Sequence, residues 1–172
     1  MVCVDEAAFY LLPGLVRTYA PCGETPLLTV LQTRDHLSVM SGVTPAGQLT
    51  ALMRRQAMTS NESISFLRHL YGYLGGKLLV IWDGGAIHRS ATVKEFLAHG
   101  WAEHIHLERF PAHAPELNPD EGVWQHLKHV ELRNLCCADL DQLSSELNLA
   151  IRRVRRRPDL VQSFFASAEL EL

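Results

Sequence analysis

The chain has 172 residues, a length that suits one domain and is too short for two full cores. Hydrophobic residues make up 47% of it and charged residues 20%, which excludes a disordered tail or a highly charged coiled coil. No apolar run approaches the ~20 residues of a membrane helix, and residues 1–14 lack the basic start of a secretion signal. The sequence therefore predicts a single-domain cytoplasmic protein with no membrane partner.

The basic charge of the chain is concentrated in one place. Lys and Arg number 16 against 19 Asp and Glu, and the net charge of −3 gives no overall attraction for nucleic acid. A run near the C-terminus is too dense to lie on one helix face, so part of it is expected to be solvated. Phosphate contact with DNA and an ordinary solvated helix end are both open interpretations of this run, which comprises Arg152, Arg153, Arg155, Arg156 and Arg157.

The first half of the chain predicts antiparallel strands followed by a helix. A strand is expected within residues 1–10, and residues 27–58 predict two or three more, with a hairpin turn at residues 44–47. Ser60 or Asn61 could cap a helix that ends at Gly75 and Gly76. A doubly wound parallel fold would need a helix within residues 27–58, where there is no room for one.

The second half predicts alternating strands and helices. Residues 78–82 form a continuous apolar run, which is typical of a strand buried on both faces. After it the sequence predicts a helix at 88–100, a strand at 102–110 and a proline-rich loop at 111–119. Two further helices are expected after Asn118 and over residues 139–157. This order predicts an α/β protein with a ribonuclease-H-like mixed sheet, in which antiparallel N-terminal strands precede βα units and helices cover both faces.

Three acids stand out by their positions: Asp5 in the first strand, Asp83 at the end of the buried strand and Glu121 in the first turn of a helix. If the two strands are neighbours and the helix packs over their ends, the three carboxylates meet, and they repel one another unless a cation binds. Such oxygen ligands suit Mg²⁺ or Mn²⁺, and a pair of ions can support phosphodiester cleavage. Taken singly, each acid also has an ordinary structural explanation as a solvated strand end, a turn former or a first-turn helix acid.

Three sequence blocks resemble, in the right order, those of the mariner-type DDE transposases of bacterial insertion sequences. The blocks are residues 4–26, 80–97 and 109–128, and they include "VIWDGG" and "LNPDEGVW". The resemblance implies that residues 1–172 are a ribonuclease-H-like DDE catalytic domain in which Asp5, Asp83 and Glu121 hold two Mg²⁺ ions, replaceable by Mn²⁺. It also implies strand cleavage at transposon ends and strand transfer to target DNA.

Neighbouring residues compete for some of these roles. Asp120 is a rival to Glu121, which we prefer because it matches the Glu of the family's "Leu-Asn-Pro-x-Glu-x-x-Trp" pattern. Glu6 follows Asp5, but consecutive strand residues face opposite sides, so only one of the two can enter the site. His88 stands close to the position of the family's His and could place a phosphate or water near the second acid, or it could be a surface residue.

The resemblance also bears on partners. The family has helix-turn-helix units before the catalytic domain, whereas only four residues precede Asp5 here, so this DNA-binding part is expected to be absent. Transposon ends would then be recognised by a separate DNA-binding module or a first-frame product, with a homodimer as a further option. Two alternatives stay open: an inactive or truncated remnant that serves as an oligomerisation or interaction module, and a related ribonuclease-H-like nuclease.

Overall fold

A computed structural model describes residues 1–30, 33–111 and 114–168, and its centre is a five-stranded mixed sheet. The strand order is β3-β2-β1-β4-β5; β1, β2 and β3 pair antiparallel, while β4 pairs parallel with both β1 and β5. The predicted antiparallel opening followed by βα units is confirmed. The strands are β1 Val2–Tyr10, β2 His36–Val43, β3 Leu49–Arg54, β4 Leu78–Trp82 and β5 Ile105–Arg109.

Five α-helices lie within the described residues, and one of them continues as a π-helical segment. Helix α1 connects β3 to β4, α2 connects β4 to β5, and α3, α4 and α5 follow the last strand. Across the described ranges, no helix has the length and apolar character needed to cross a membrane. The helices are α1 Ser60–Leu74, α2 Ala91–Ala98, α3 Pro119–His126 with its π-helical continuation Leu127–Glu131, α4 Leu140–Arg155 and α5 Pro158–Ser167.

The side chains of β1 alternate between two hydrophobic cores. Cys3 and Phe9 pack with residues of α3, α4 and α5, whereas Val2 and Val4 pack with residues of α1 and α2. Helices therefore cover both faces of the sheet, as the sequence predicts. The same alternation assigns Asp5 to the α3 face and the next residue of β1 to the α1 and α2 face.

Several element boundaries differ from the sequence prediction. The cap of α1 is Thr59, whose side chain accepts a hydrogen bond from the Asn61 amide and forms a capping box with Glu62. Helix α2 begins at Ala91 after the Ser90 cap, so His88 lies in the connection from β4 and not in the helix. A short 3₁₀ turn over Trp101–Glu103 replaces the start of the strand predicted from residue 102.

The N-terminal segment matches the prediction in its hairpin and in its strand count. The Gly47 amide donates to the Thr44 carbonyl at 2.9 Å, which closes the predicted turn, and two strands are present within residues 27–58. No helix lies in the described part of that range, from which residues 31 and 32 are left out. Two other predicted segments reach beyond the described residues. The predicted loop includes residues 112 and 113, and the last apolar stretch ends with residues 169 and 170.

Candidate active site

Three predicted acids line the same cavity. Asp5 and Asp83 each lie two residues beyond a paired position on the adjacent parallel strands β1 and β4, where Cys3 is opposite Ile81. Helix α3 packs against β1 and brings Glu121 to the same place. All three side chains line an open cavity of about 660 Å³. The three acids therefore lie on one cavity, while their catalytic and metal-binding roles stay predictions.

The cavity offers ligands without forming a closed cage. Across residues 1–30, 33–111 and 114–168, no three His, Cys, Asp or Glu side chains lie close enough together to hold a metal ion by themselves. Mg²⁺ usually keeps several waters and binds one or two carboxylates together with substrate oxygens. Carboxylates that line a cavity open to solvent suit this way of binding Mg²⁺.

Asp5 is held by the tryptophan of α3. The Trp124 indole N–H donates to Asp5 Oδ2 at 3.0 Å, and the ring is buried with an edge contact to Phe9 at 5.9 Å between centroids. Burial is the main cause that raises the pKa of Asp5 to about 6; contacts with the Glu6 backbone and Trp124 oppose this rise. The negative charges of Glu121 and Asp83 raise this pKa further.

Asp83 is an exposed carboxylate that the following turn holds from one side. The Gly85 amide donates to Asp83 Oδ1 at 2.8 Å. A Cβ atom built at residue 85 would lie only 2.9 Å from the same oxygen, so glycine allows this close approach. Within the described residues, Asp83 Oδ2 accepts no hydrogen bond, and it is the oxygen left for a ligand in the cavity.

His88 is buried between two carboxylates. Its ring stacks on Trp82 with a centroid distance of 4.1 Å and an interplanar angle of 4°. Nε2 lies 2.8 Å from Glu6 Oε1 in a hydrogen bond, and Nδ1 lies 2.8 Å from Asp83 Oδ1 without hydrogen-bond alignment. Burial lowers the pKa of His88, but the bond to Glu6 and the charges of Glu6 and Asp83 outweigh it, so the pKa lies above its usual value. Nε2 is therefore engaged by Glu6, while Nδ1 forms no hydrogen bond within the described residues, and a role of His88 in placing a phosphate or water stays a prediction.

Asp120 is fully buried and lies behind the cavity wall. Ser41 Oγ donates to Asp120 Oδ1 at 2.5 Å, while Oδ2 is buried with no partner among the described residues. Burial raises the pKa of Asp120 well above its usual range despite the bond from Ser41, and the charges of Asp5 and Glu121 add to this rise. Glu121 lines the cavity and Asp120 does not, which supports the choice of Glu121 as the third acid.

The structure adds residues to this site that the sequence did not indicate. Glu6 reaches Asp83 through His88, although its strand position points it away from Asp5. Arg109, the last residue of β5, lines the cavity beside Asp83 because it pairs with the strand position before Asp83. Its place at the carboxyl end of a parallel strand is the one signal in the sequence that could have indicated it.

The arginine run divides into tethered and free members, and it does not line the cavity. Arg155 Nε donates to the Leu49 carbonyl at 2.9 Å, and Arg153 Nε donates to Glu131 Oε2 at 2.5 Å. The other members are exposed and form no ion pair within the described residues: Arg152, Arg156 and Arg157. A role of the run in DNA contact stays a prediction.

The mixed sheet, its strand order and the helices on both faces define a ribonuclease-H-like α/β fold. The chain belongs to the DDE superfamily endonucleases, since the model of that family matches residues 1–144. A comparison with curated proteins gives no match.

Solved structures of the Mos1 transposase are similar to this chain in fold. The Mos1 paired-end complex with left transposon end has a TM-score of 0.64 at 14% identity, over 97% of this chain and 55% of that one. The mariner Mos1 paired end complex with Mg gives 0.65 at 14% identity, over 99% and 56%. The catalytic domain of Mos1 mariner transposase gives 0.54 at 13% identity, over 99% and 83%. This chain thus spans little more than half the length of the transposases in the two complexes.

Proposed function

We propose that this chain is the catalytic domain of a metal-dependent DNA transposase of the mariner-like bacterial insertion-sequence branch. It would cleave strands at transposon ends and join the freed ends to target DNA. The observation that carries the proposal is the placement of Asp5, Asp83 and Glu121 on the wall of one open cavity. Membership of the DDE superfamily endonucleases supports cleavage of nucleic acid as the class of reaction.

The donor set of the cavity fits magnesium or manganese. Asp5 and Asp83 each have one oxygen held by a protein N–H, from Trp124 and Gly85, and one oxygen without a hydrogen bond among the described residues. Together with Glu121, these carboxylates are hard oxygen ligands of the kind that Mg²⁺ and Mn²⁺ prefer. Bound there, two such ions would activate the attacking oxygen and stabilise the leaving one.

The protein groups of the cavity would bind and orient the DNA backbone. Arg109 lines the cavity and forms no ion pair within the described ranges, so its guanidinium is available to a phosphate oxygen. Asp5 lies within β1, Asp83 directly follows β4 and Glu121 lies in the first turn of α3, so regular elements of the fold position all three acids. Such positioning holds the reacting phosphate in one place relative to the ligands, and this lowers the entropic part of the barrier.

DNA is the proposed partner, and the protein would act on it in the cytoplasm. Sequence-specific recognition of transposon ends would come from a module outside residues 1–172, because the net charge of −3 gives no overall attraction for DNA. The segment between β1 and β2 exposes large apolar side chains, including Leu15, Tyr19 and Leu27, at 75%, 103% and 90%. Exposure of this kind favours protein contact and supports a homodimer.

A strand-cleavage assay tests the proposal. Labelled duplexes that carry the ends of the source element would be incubated with the chain and its DNA-binding module in Mg²⁺, Mn²⁺ or EDTA. We expect cleavage with either metal, none in EDTA and none for Asp83→Asn, while Asp159→Asn, on the exposed start of α5, serves as the matched control. Metal-independent cleavage, or cleavage of branched DNA without strand joining, would contradict a transposase and favour a different nuclease.

A further inference from the structure

We propose that Glu6 and His88 form a clamp that fixes the Asp83 carboxylate, so that Glu6 is a positioning residue for a cavity that it does not line. This inference rests on the proposed function, because it concerns how one of the proposed metal ligands is held. It assigns a task to a carboxylate that the strand pattern excludes from the site.

The clamp crosses from one strand to the next. Glu6 is on β1, directly after Asp5 but on the opposite face, and Asp83 follows β4, the parallel neighbour of β1. The His88 ring fills the gap between the two carboxylates, with Nε2 2.8 Å from Glu6 Oε1 and Nδ1 2.8 Å from Asp83 Oδ1. One strand therefore supplies an acid to the cavity and, through the next residue, support for the neighbouring acid.

The His88 ring is itself held firmly. Its side chain is only 3% exposed, it stacks in parallel on Trp82, and its backbone N–H donates to the Gly85 carbonyl at 3.2 Å. Asp83, by contrast, has a side chain that is 59% exposed and would rotate freely if it were not contacted. The Gly85 amide donates to Oδ1 and the rigid ring lies 2.8 Å from the same oxygen, whereas Oδ2 of this cavity-lining residue has no hydrogen bond among the described residues.

A purely structural role explains this arrangement poorly. Groups that make buried charged contacts lose hydration, and well-packed apolar side chains of similar size often give equal or greater stability. Residues that contact a metal ligand without touching the metal have a clear functional role, because they orient the ligand and their loss commonly weakens metal binding. The position of the His88 ring next to a cavity-lining acid favours the second explanation.

The test measures Mn²⁺ affinity of the full chain by titration calorimetry, with thermal melting as a check on folding. Glu6→Ala should raise the Mn²⁺ dissociation constant by about 10- to 100-fold. Glu6→Gln should restore part of the affinity because its amide oxygen still accepts from Nε2. His88→Phe keeps the stack on Trp82 but removes both nitrogen contacts, so it should weaken binding as much as Glu6→Ala does.

Two further comparisons make the result specific. The double variant Glu6→Ala with His88→Phe should be no weaker than His88→Phe alone, because both changes act through one contact path. Glu131→Ala is the control, because it removes another partly buried carboxylate beside a histidine, with Glu131 Oε1 3.6 Å from His126 Nε2. It should leave Mn²⁺ affinity unchanged. Additive losses in the double variant, or wild-type affinity in Glu6→Ala, would overturn the clamp alone. A wild-type chain that binds no Mn²⁺ would overturn the proposed function as well.

Metal-free NMR separates the contact from the metal. A His88 Nε2 proton bonded to Glu6 in a buried place should exchange slowly with water in the wild-type chain, and this protection should disappear in Glu6→Ala. Fast exchange in the wild-type chain would overturn the clamp whatever the Mn²⁺ titration gives.

Discussion

Asp5 and Asp83 occupy matching positions on two adjacent parallel strands, each two residues beyond the Cys3 and Ile81 pair. Parallel strands run in the same direction, so equal offsets from a paired position bring Asp5, within β1, and Asp83, directly after β4, to the same part of the sheet. Helix α3 then has only to pack across that part for Glu121 to complete the set. The register of one strand pair thus determines most of the candidate site.

The third acid can be tested directly against its neighbour. Glu121→Gln should reduce metal-dependent cleavage by at least about 100-fold, as expected for loss of a direct ligand of the reacting centre. Asp120→Asn should reduce it far less, because Asp120 is buried behind the wall and bonded to Ser41. Cleavage rates of both variants at saturating Mg²⁺ provide the comparison. An inactive Asp120→Asn beside an active Glu121→Gln would reverse the assignment.

The Asp5 carboxyl predicts a pH-dependent stability in metal-free buffer. Its pKa is about 6 in the folded chain against an ordinary value of 3.8, so the folded state holds this proton more tightly. The stabilising contribution is complete below pH 3.8 and is lost as the pH rises through about 6. Asp5→Asn does not titrate, so its stability relative to the wild type should rise over this range, by about 1–3 kcal/mol at pH 7.5.

Denaturant unfolding in EDTA at several pH values between 4 and 8 provides the measurement for Asp5. Asp5→Asn should be more stable than the wild type but bind Mn²⁺ more weakly. These opposite effects are expected of a residue that serves function and lowers stability. If the difference in free energy of unfolding between variant and wild type stays constant across the pH range, the raised pKa of Asp5 is contradicted.

Two adjacent glycines supply a matched pair of variants. A Cβ atom at residue 85 would lie 2.9 Å from Asp83 Oδ1, whereas one at residue 84 meets nothing within 4 Å. Gly85→Ala should therefore displace the Asp83 carboxylate and weaken Mn²⁺ binding, and Gly84→Ala should leave it close to wild type. Calorimetric titration of both variants gives the comparison. Equal effects would mean that the turn tolerates the added methyl group and that the close approach has no part in holding Asp83.

The sheet was predictable because it depends on short-range patterns, whereas the choice of Asp5 and Glu121 over the acids next to them came from the family resemblance. The apolar run before Asp83 indicates a buried strand, and a strand end next to a parallel neighbour is where ligands meet. The start of α1 was also readable: Thr59 and Glu62 have the spacing of a capping box, which the choice of Ser60 or Asn61 overlooked.

The supporting contacts were not predictable, since each depends on a pairing between distant segments. Ser41 is opposite Asp5 only because of the register between β1 and β2, and it meets Asp120 only because α3 crosses that face. Glu6 meets His88 because the connection after β4 turns back over the α1 and α2 face before α2 begins. Nothing local in the sequence encodes either pairing.

DNA affinity of the chain by itself should be low. Its net charge is −3, and acidic side chains line the cavity. Two members of the arginine run already bond within the protein, Arg153 to Glu131 and Arg155 to the Leu49 carbonyl. Phosphate contacts supply most non-specific affinity, and each lost contact lowers both affinity and its dependence on salt. We therefore expect weak binding that does not distinguish a transposon-end duplex from a scrambled one.

Fluorescence titration of both duplexes at ~0.15 M salt, and again at lower salt, measures this binding. Arg152→Ala with Arg156→Ala removes two exposed arginines that form no ion pair within the described residues, and it should reduce the salt dependence as well as the affinity. Arg153→Ala, whose guanidinium is engaged by Glu131, is the matched control and should change both quantities less. Tight binding that separates the two duplexes would show that this domain reads sequence itself, and that no separate recognition module is needed.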